Sequence, residues 1–249
     1  MHIMVDYWRL VQKVLRAADI VLIVLDARMI ADTRNVEIED KVQAMGAQCI
    51  YVINKADLID AETVLELKKK MPHAVLISAK YHKGTSLLRD KIKIYAAQAK
   101  LDTVNVGVVG YPNVGKSSII NALSGKNAAA VSAISGYTKS LKNIRASANI
   151  MFLDTPGVIP YKEHNDMKHA IIGTVDFNKE KDPDIVAIQL MEEFPSTIER
   201  FYNVPVIEDK SSTLEAIAKK RMMVARGGIL DIERTAKMIL KDWQTGKIH

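Results

Sequence analysis

The chain has one cysteine in 249 residues, Cys49. That excludes an intrachain disulfide and a cysteine-based zinc cluster, and it points to a reducing compartment, with the cytoplasm expected. Long apolar runs are missing too. The longest, "IVLIVL" at 20–25, is strand-sized, and Asp6 and Arg9 interrupt any would-be signal segment, so no membrane association is expected. Internal repeats and low-complexity tracts are absent, and no stretch of 165–249 carries a strand-like apolar run.

What is present suits a medium α/β domain followed by a small helical one. Apolar residues make up 48% of the chain, enough for a real core. Residues 1–164 hold 22 Lys and Arg against 15 Asp and Glu, whereas 165–249 hold 13 against 14, so the basic excess lies in the first part. Such an excess is compatible with anionic ligands or nucleic acid and proves neither.

Trp8, Val11, Leu15 and Ala18 recur at helical spacing over 7–18. Short apolar runs then close on polar or glycine residues at 19–28, 47–57, 74–80, 105–113 and 148–157. These read as buried parallel strands with functional C-terminal ends. Helix-like segments at about 36–45, 61–70, 84–99 and 116–124 alternate with them, which predicts a mostly parallel sheet with helices on both faces. Beyond 165, helical patterns include 213–225 and 231–243, separated by Gly227 and Gly228. The expected domains are 1–164 and 165–249.

Residues 110–118, "GYPNVGKSS", match the phosphate-loop pattern between a strand and a helix. Asn113, Val114, Gly115, Lys116, Ser117 and Ser118 are the expected phosphate-binding residues. Loop amides would face the phosphates, Lys116 would add charge at the β and γ groups, and Ser117 would offer its hydroxyl to Mg²⁺. "DTPG" at 154–157 ends another strand, placing Asp154 as a second Mg²⁺ candidate and the Gly157 amide as a γ-phosphate sensor. Thr138, in "ISGYTKS", is the candidate to close over Mg²⁺ and γ-phosphate; an ordinary loop threonine is the alternative.

Guanine needs an acceptor pair facing its N1–H and exocyclic amine. Asp57 in "NKAD" is the candidate, with Asn54 tying this loop to the phosphate loop and the Lys55 stem lying against the base. Ser78, Ala79 and Lys80 form "SAK", whose Ala79 amide would donate to guanine O6. These base-reading motifs precede the phosphate loop, the reverse of the usual GTPase order. A circularly permuted P-loop GTPase accounts for this: the sheet is kept, the old ends are joined near residue 100, and new ends open after "DTPG".

Together, "LDAR" (25–28), "NKAD", "SAK", "GYPNVGKSS", "DTPG" and "GGILDIERTAKMILKDWQTGK" (227–247) resemble the circularly permuted GTPases of the YlqF/RbgA type. The resemblance covers most of the chain. It implies GTP hydrolysis, Mg²⁺, and binding to a ribosomal subunit or its precursor through rRNA. Three departures stand out: Met29-Ile30 replaces a proline after "DAR", Asn35-Val36 replaces an Asn-Pro, and only His2-Ile3-Met4 remains of a "GHM" that would lend a catalytic histidine.

Val158 occupies the place after "DTPG" where other GTPases use a glutamine to orient water, so slow intrinsic turnover and outside stimulation are expected. Asn113 stands where related GTPases hold K⁺ near the β and γ phosphates; shaping the loop is its other reading. Lys126, Lys139, Lys142 and Arg145 around the Thr138 segment, and Lys219, Lys220, Arg221 and Arg226 along a C-terminal helix, could neutralise RNA phosphates or form a solvated face. His164, Asp166 and His169 are too loosely spaced for a metal site and read as linker residues. Ribosomal proteins are further candidate partners, a monomer is expected, and a GTP switch for protein partners without RNA is the alternative function.

Overall fold

The computed structural model describes residues 2–125, 142–160, 163 and 165–249. The chain divides into two compact units, Met1–His164 and Asn165–His249.

The first unit opens with α1 (His2–Ala17), followed by β1 (Ile20–Asp26), α2 (Ile30–Thr33), α3 (Val36–Ala44) and β2 (Gln48–Asn54). A 3₁₀ turn, Ala56–Leu58, precedes α4 (Ala61–Lys70), β3 (Val75–Leu76), α5 (Thr85–Gln98), β4 (Val104–Gly110), α6 (Lys116–Ser124), β5 (Lys142–Arg145) and β6 (Ile150–Asp154). The six strands form one sheet in the order β3-β2-β1-β4-β6-β5. All neighbours run parallel except β5, which pairs antiparallel with β6.

β1 sits between β2 and β4, and every one of its residues is buried, which explains its unbroken apolar run. Trp8, Val11, Val14 and Leu15 of α1 pack with Val21, Ile23 and Leu25 of β1 in one core cluster, the face that the helical spacing anticipates. The register sets the site. Asp26 lies beside Asn54, and Val108 beside Asp154, so the functional residues gather along the C-terminal ends of β1, β2, β4 and β6.

The sequence reading needs three local corrections here. The run at 74–80 pairs over two residues only, Val75 and Leu76. The antiparallel β5 was not anticipated. Asp166 and His169, read as linker, belong to α7 (Asp166–Ile172), and His169 is buried.

The second unit is helical: α7, α8 (Pro183–Glu193), α9 (Thr197–Tyr202), α10 (Lys210–Lys220) and α11 (Ile232–Gln244). Pro183 at the first turn and side-chain caps from Asn165, Asp209 and Asp231 set the helix starts. Trp243 is the anchor. Its Nε1 donates to Ile171 O at 3.0 Å, and its ring lies 4.5 Å from that of Phe194. Tyr202 donates to Asp242 at 2.9 Å. The helix expected over 213–225 stops at Lys220, so neither Arg221, its C-cap, nor Arg226 lies along it.

Candidate nucleotide site

Four strand ends build the site. At the end of β4 the chain enters the phosphate loop, where Asn113 takes a left-handed conformation at φ 60° and Gly115 one at φ 95°. A Cβ at Gly115 would stand 2.2 Å from Asn54 Nδ2, so only glycine admits the neighbouring loop. That approach is used: Asn54 Nδ2 donates to Val114 O at 2.9 Å, while Asn54 Oδ1 accepts from Ala79 N at 3.1 Å. One buried amide therefore joins "NKAD", "SAK" and the phosphate loop.

Lys116, at the start of α6, donates from Nζ to Tyr111 O at 2.6 Å and Gly110 O at 3.2 Å. Burial pushes its pKa down to about 8 against the opposing pull of Asp154. Ser117 Oγ lies 3.0 Å from Asp154 Oδ2. A hydroxyl and a carboxylate side by side are hard oxygen donors of the kind Mg²⁺ takes, so these residues fit that ion. Among the described residues no cluster of three or more His, Cys, Asp or Glu is placed to hold a metal by itself.

After β6, Thr155 donates to Val108 O at 2.7 Å, and a Cβ at Gly157 would lie 2.4 Å from the backbone of Pro112. The "DTPG" turn thus sits directly on the phosphate loop. Val158 is a core residue, 3% exposed; its N–H donates to Gly110 O at 3.2 Å and its O accepts from Asn35 Nδ2 at 3.1 Å. Trp8 Nε1 donates to Ile159 O at 3.2 Å, and the Tyr111 hydroxyl to Glu163 Oε2.

The "LDAR" segment contributes a group that sequence reasoning did not assign. Asp26 accepts from Arg28 N at 3.1 Å, Arg28 Nε at 3.2 Å and Arg28 Nη2 at 2.9 Å. Lys55 Nζ completes the set at 2.7 Å. Burial works to raise the Asp26 pKa, but Lys55 and Arg28 overcome it and hold the carboxyl well below its usual range. Burial lowers the Lys55 pKa, opposed by Asp26. Lys55 itself is held at φ 62°.

Of the expected residues, Asn54, Lys55, Ala79, the 113–118 loop, Asp154 and Gly157 come together at these strand ends. Asp57 follows within the 3₁₀ turn, half-buried, and lines an open cavity of about 660 Å³ with Ile59, Leu65 and Tyr81. Ser78 is buried and bridged to Lys83, and Lys80 is exposed, its Nζ 5.2 Å from the Tyr81 ring centroid. The Ala79 amide, expected on guanine O6, is bonded to Asn54 instead. Thr138, Lys126, Lys139, His164 and the His2 and Lys142 side chains lie outside the described residues; Arg145 is exposed on β5.

The family profile described as RsgA GTPase matches residues 10–162, and that described as 50S ribosome-binding GTPase matches 105–226. An uncharacterized GTP-binding protein of Methanocaldococcus jannaschii is 38% identical over 97% of this chain and 65% of its own length. The GTPase grn1 of Schizosaccharomyces pombe is 32% identical over 96% and 60%, and the nucleolar GTP-binding protein 2 of Neurospora crassa 33% identical over 97% and 40%. The chain thus spans between two fifths and two thirds of the length of these relatives. GNP-bound YlqF from T. maritima shares the fold, with TM-score 0.66, 24% identity, and 97% of this chain and 94% of that one covered.

Proposed function

The chain belongs to the RsgA GTPases, with its sheet circularly permuted, and from that premise we propose that it binds and hydrolyses GTP and docks on a ribosomal subunit or its precursor through rRNA. The observation that carries the nucleotide reading is the Asn54 amide, which brings the base-reading and phosphate-reading loops to one point. Lys116 is the cation for the β and γ phosphates, Asp57 the acceptor for the guanine edge, and Gly157 the amide nearest the phosphate loop. With its ammonium held by Asp26, Lys55 has only its aliphatic stem left to offer the base.

Ser117 and Asp154, with Thr138 from outside the described residues, would hold Mg²⁺, which neutralises phosphate charge when bound. The Val158 side chain is in the core, so no group at that position orients water. Slow intrinsic turnover follows, with stabilisation drawn from the ribosomal partner and from a K⁺ beside Asn113. The match to the 50S ribosome-binding profile and the nucleolar relative support the ribosomal reading. No described helix is long and apolar enough to cross a membrane.

The test is sedimentation with separated ribosomal subunits in GTP analogue, GDP and no nucleotide, paired with GTP turnover. Tighter binding with the analogue and faster turnover with subunits are expected, because binding linkage is reciprocal. Sedimentation with neither subunit under any condition would remove the ribosomal part. Turnover unchanged from buffer would remove the enzymatic part.

A further inference from the structure

After α10 ends at Lys220, residues 221–231 fold into a tight hairpin. Val224 bridges Leu230 antiparallel, Ala225 N donates to Ile229 O at 2.8 Å, Gly228 N to Ala225 O at 3.2 Å, and Asp231 N to Met223 O at 2.9 Å. Its base is anchored by two of the cations that sequence reading offered to RNA. Lys220 Nζ donates to Asn203 O, and the Arg221 guanidinium sits 5.0 Å from the Tyr202 ring centroid. Those two are occupied within the unit.

What the hairpin presents outward is unusual for a solvated loop. Met222 is 81% exposed, Ile229 70% and Val224 51%, three large apolar side chains within eight residues. Arg226 is exposed beside Gly227 and Gly228 at the tip, and Lys219 is exposed with only a 3.6 Å surface pair to Glu215. From Lys219 to Ile229 there is no Asp or Glu.

We propose that this hairpin is an RNA-docking wedge, in which Met222, Val224 and Ile229 pack on exposed ribose and base surface while Lys219 and Arg226 neutralise flanking phosphates. The proposal rests on the ribosomal reading above and names the surface that serves it. Charge decides the partner class: the 219–229 stretch carries four cations and no anion, with Glu215 and Asp231 at its borders, and that excess matches a polyanion, whose phosphates flank the apolar faces of riboses and bases in the wide minor groove and single-stranded loops of RNA. Apolar wedges beside cations are an established means of gripping a nucleic acid. Met222, unbranched and polarisable, adapts to an irregular surface.

The two kinds of contact differ in salt dependence, which makes the proposal testable with the full chain in GTP analogue. The probes are protein-free rRNA from each separated subunit, and the intact subunits themselves, titrated over a range of KCl. Met222→Ser and Ile229→Ser should each weaken rRNA binding about tenfold, the loss of one buried apolar side chain, with the slope of log K against log salt unchanged. Lys219→Ala and Arg226→Ala should each flatten that slope by about one unit. Circular dichroism and GDP binding check that each variant folds. Serine variants that bind protein-free rRNA as tightly as wild type overturn the wedge. If those variants bind rRNA normally but lose intact subunits, the hairpin meets a ribosomal protein, which also overturns it. If the wild type binds neither rRNA nor subunits, the ribosomal reading itself fails.

Discussion

Replacing Asp26 by asparagine probes the group that sequence reading did not assign. The carboxylate accepts from Arg28 three times and from Lys55 once, with side-chain exposures of 2% for Asp26, 5% for Arg28 and 18% for Lys55. An amide keeps the shape but removes the negative charge that Lys55 and Arg28 share. Breaking a buried pair in this way costs about 3–5 kcal/mol. Each unit has its own tryptophan, Trp8 in the first and Trp243 in the second, so in a Trp243→Phe background Trp8 fluorescence reports urea unfolding of the first unit alone. The acid limb adds a second check. Because the folded Asp26 pKa lies below its ordinary 3.8, its stabilisation is fully present above that value and is lost as the pH falls below it towards the folded pKa. Wild type should therefore lose stability on acidification below about pH 4, and Asp26→Asn should show a weaker loss there. Adding Lys55→Met to Asp26→Asn removes one of the two cations that faced the carboxylate and should recover part of the deficit. An Asp26→Asn protein within about 1 kcal/mol of wild type at neutral pH would refute the view that this carboxylate holds the cluster together.

Asp57→Asn should weaken GTP by about 1–3 kcal/mol and favour xanthosine triphosphate, since the amide places a donor against guanine's own amine; competition binding measures it, and unchanged GTP affinity would excuse Asp57 from reading the base. GTP turnover should be faster in KCl than in NaCl at equal ionic strength, and Asn113→Ala should abolish the difference while GDP affinity stays near wild type. Equal wild-type rates in both salts would leave Asn113, at its left-handed φ of 60°, with loop shaping alone. Gly157→Ala would put a methyl 2.4 Å from the Pro112 backbone, so turnover should fall about a hundredfold with little change in GDP affinity, and a fully active variant would show that the turn tolerates displacement.

The parallel strands, their helices and the phosphate loop were legible because each leaves a local trace: an apolar run, a 3.6-residue period, glycines at fixed offsets. The helix at Lys116–Ser124 could be placed from those marks alone. Asp26 could not, because "LDAR" acquires meaning only through the β1–β2 register that sets Asp26 beside Asn54 and one residue from Lys55. The early end of α10 was equally hidden. The pattern from Thr213 to Ala225 stays amphipathic, but Met222 at φ 52° and the glycines beyond it turn the chain into a hairpin. β3 is only two residues long, although Ile77 still donates to Ile53 O at 2.8 Å before Ser78 turns to bridge Lys83. Val158 was readable as a missing glutamine; that its side chain serves the core beside Trp8 was not.

The position of β1 in the sheet also bears on how the chain reaches its native state. Seven consecutive buried residues, Ile20–Asp26, need partners on both edges, and β2 follows promptly while β4 begins only at Val104. During synthesis one edge of β1 therefore stays open for most of the first unit's length, a bare apolar ladder of the kind that recruits other chains. The same delay means that Asn54 waits for Val114 before the two halves of the nucleotide site can be joined. Guanine nucleotide can then stabilise only chains that have closed this gap, so supplying GDP during refolding should raise the yield of native protein and suppress aggregation.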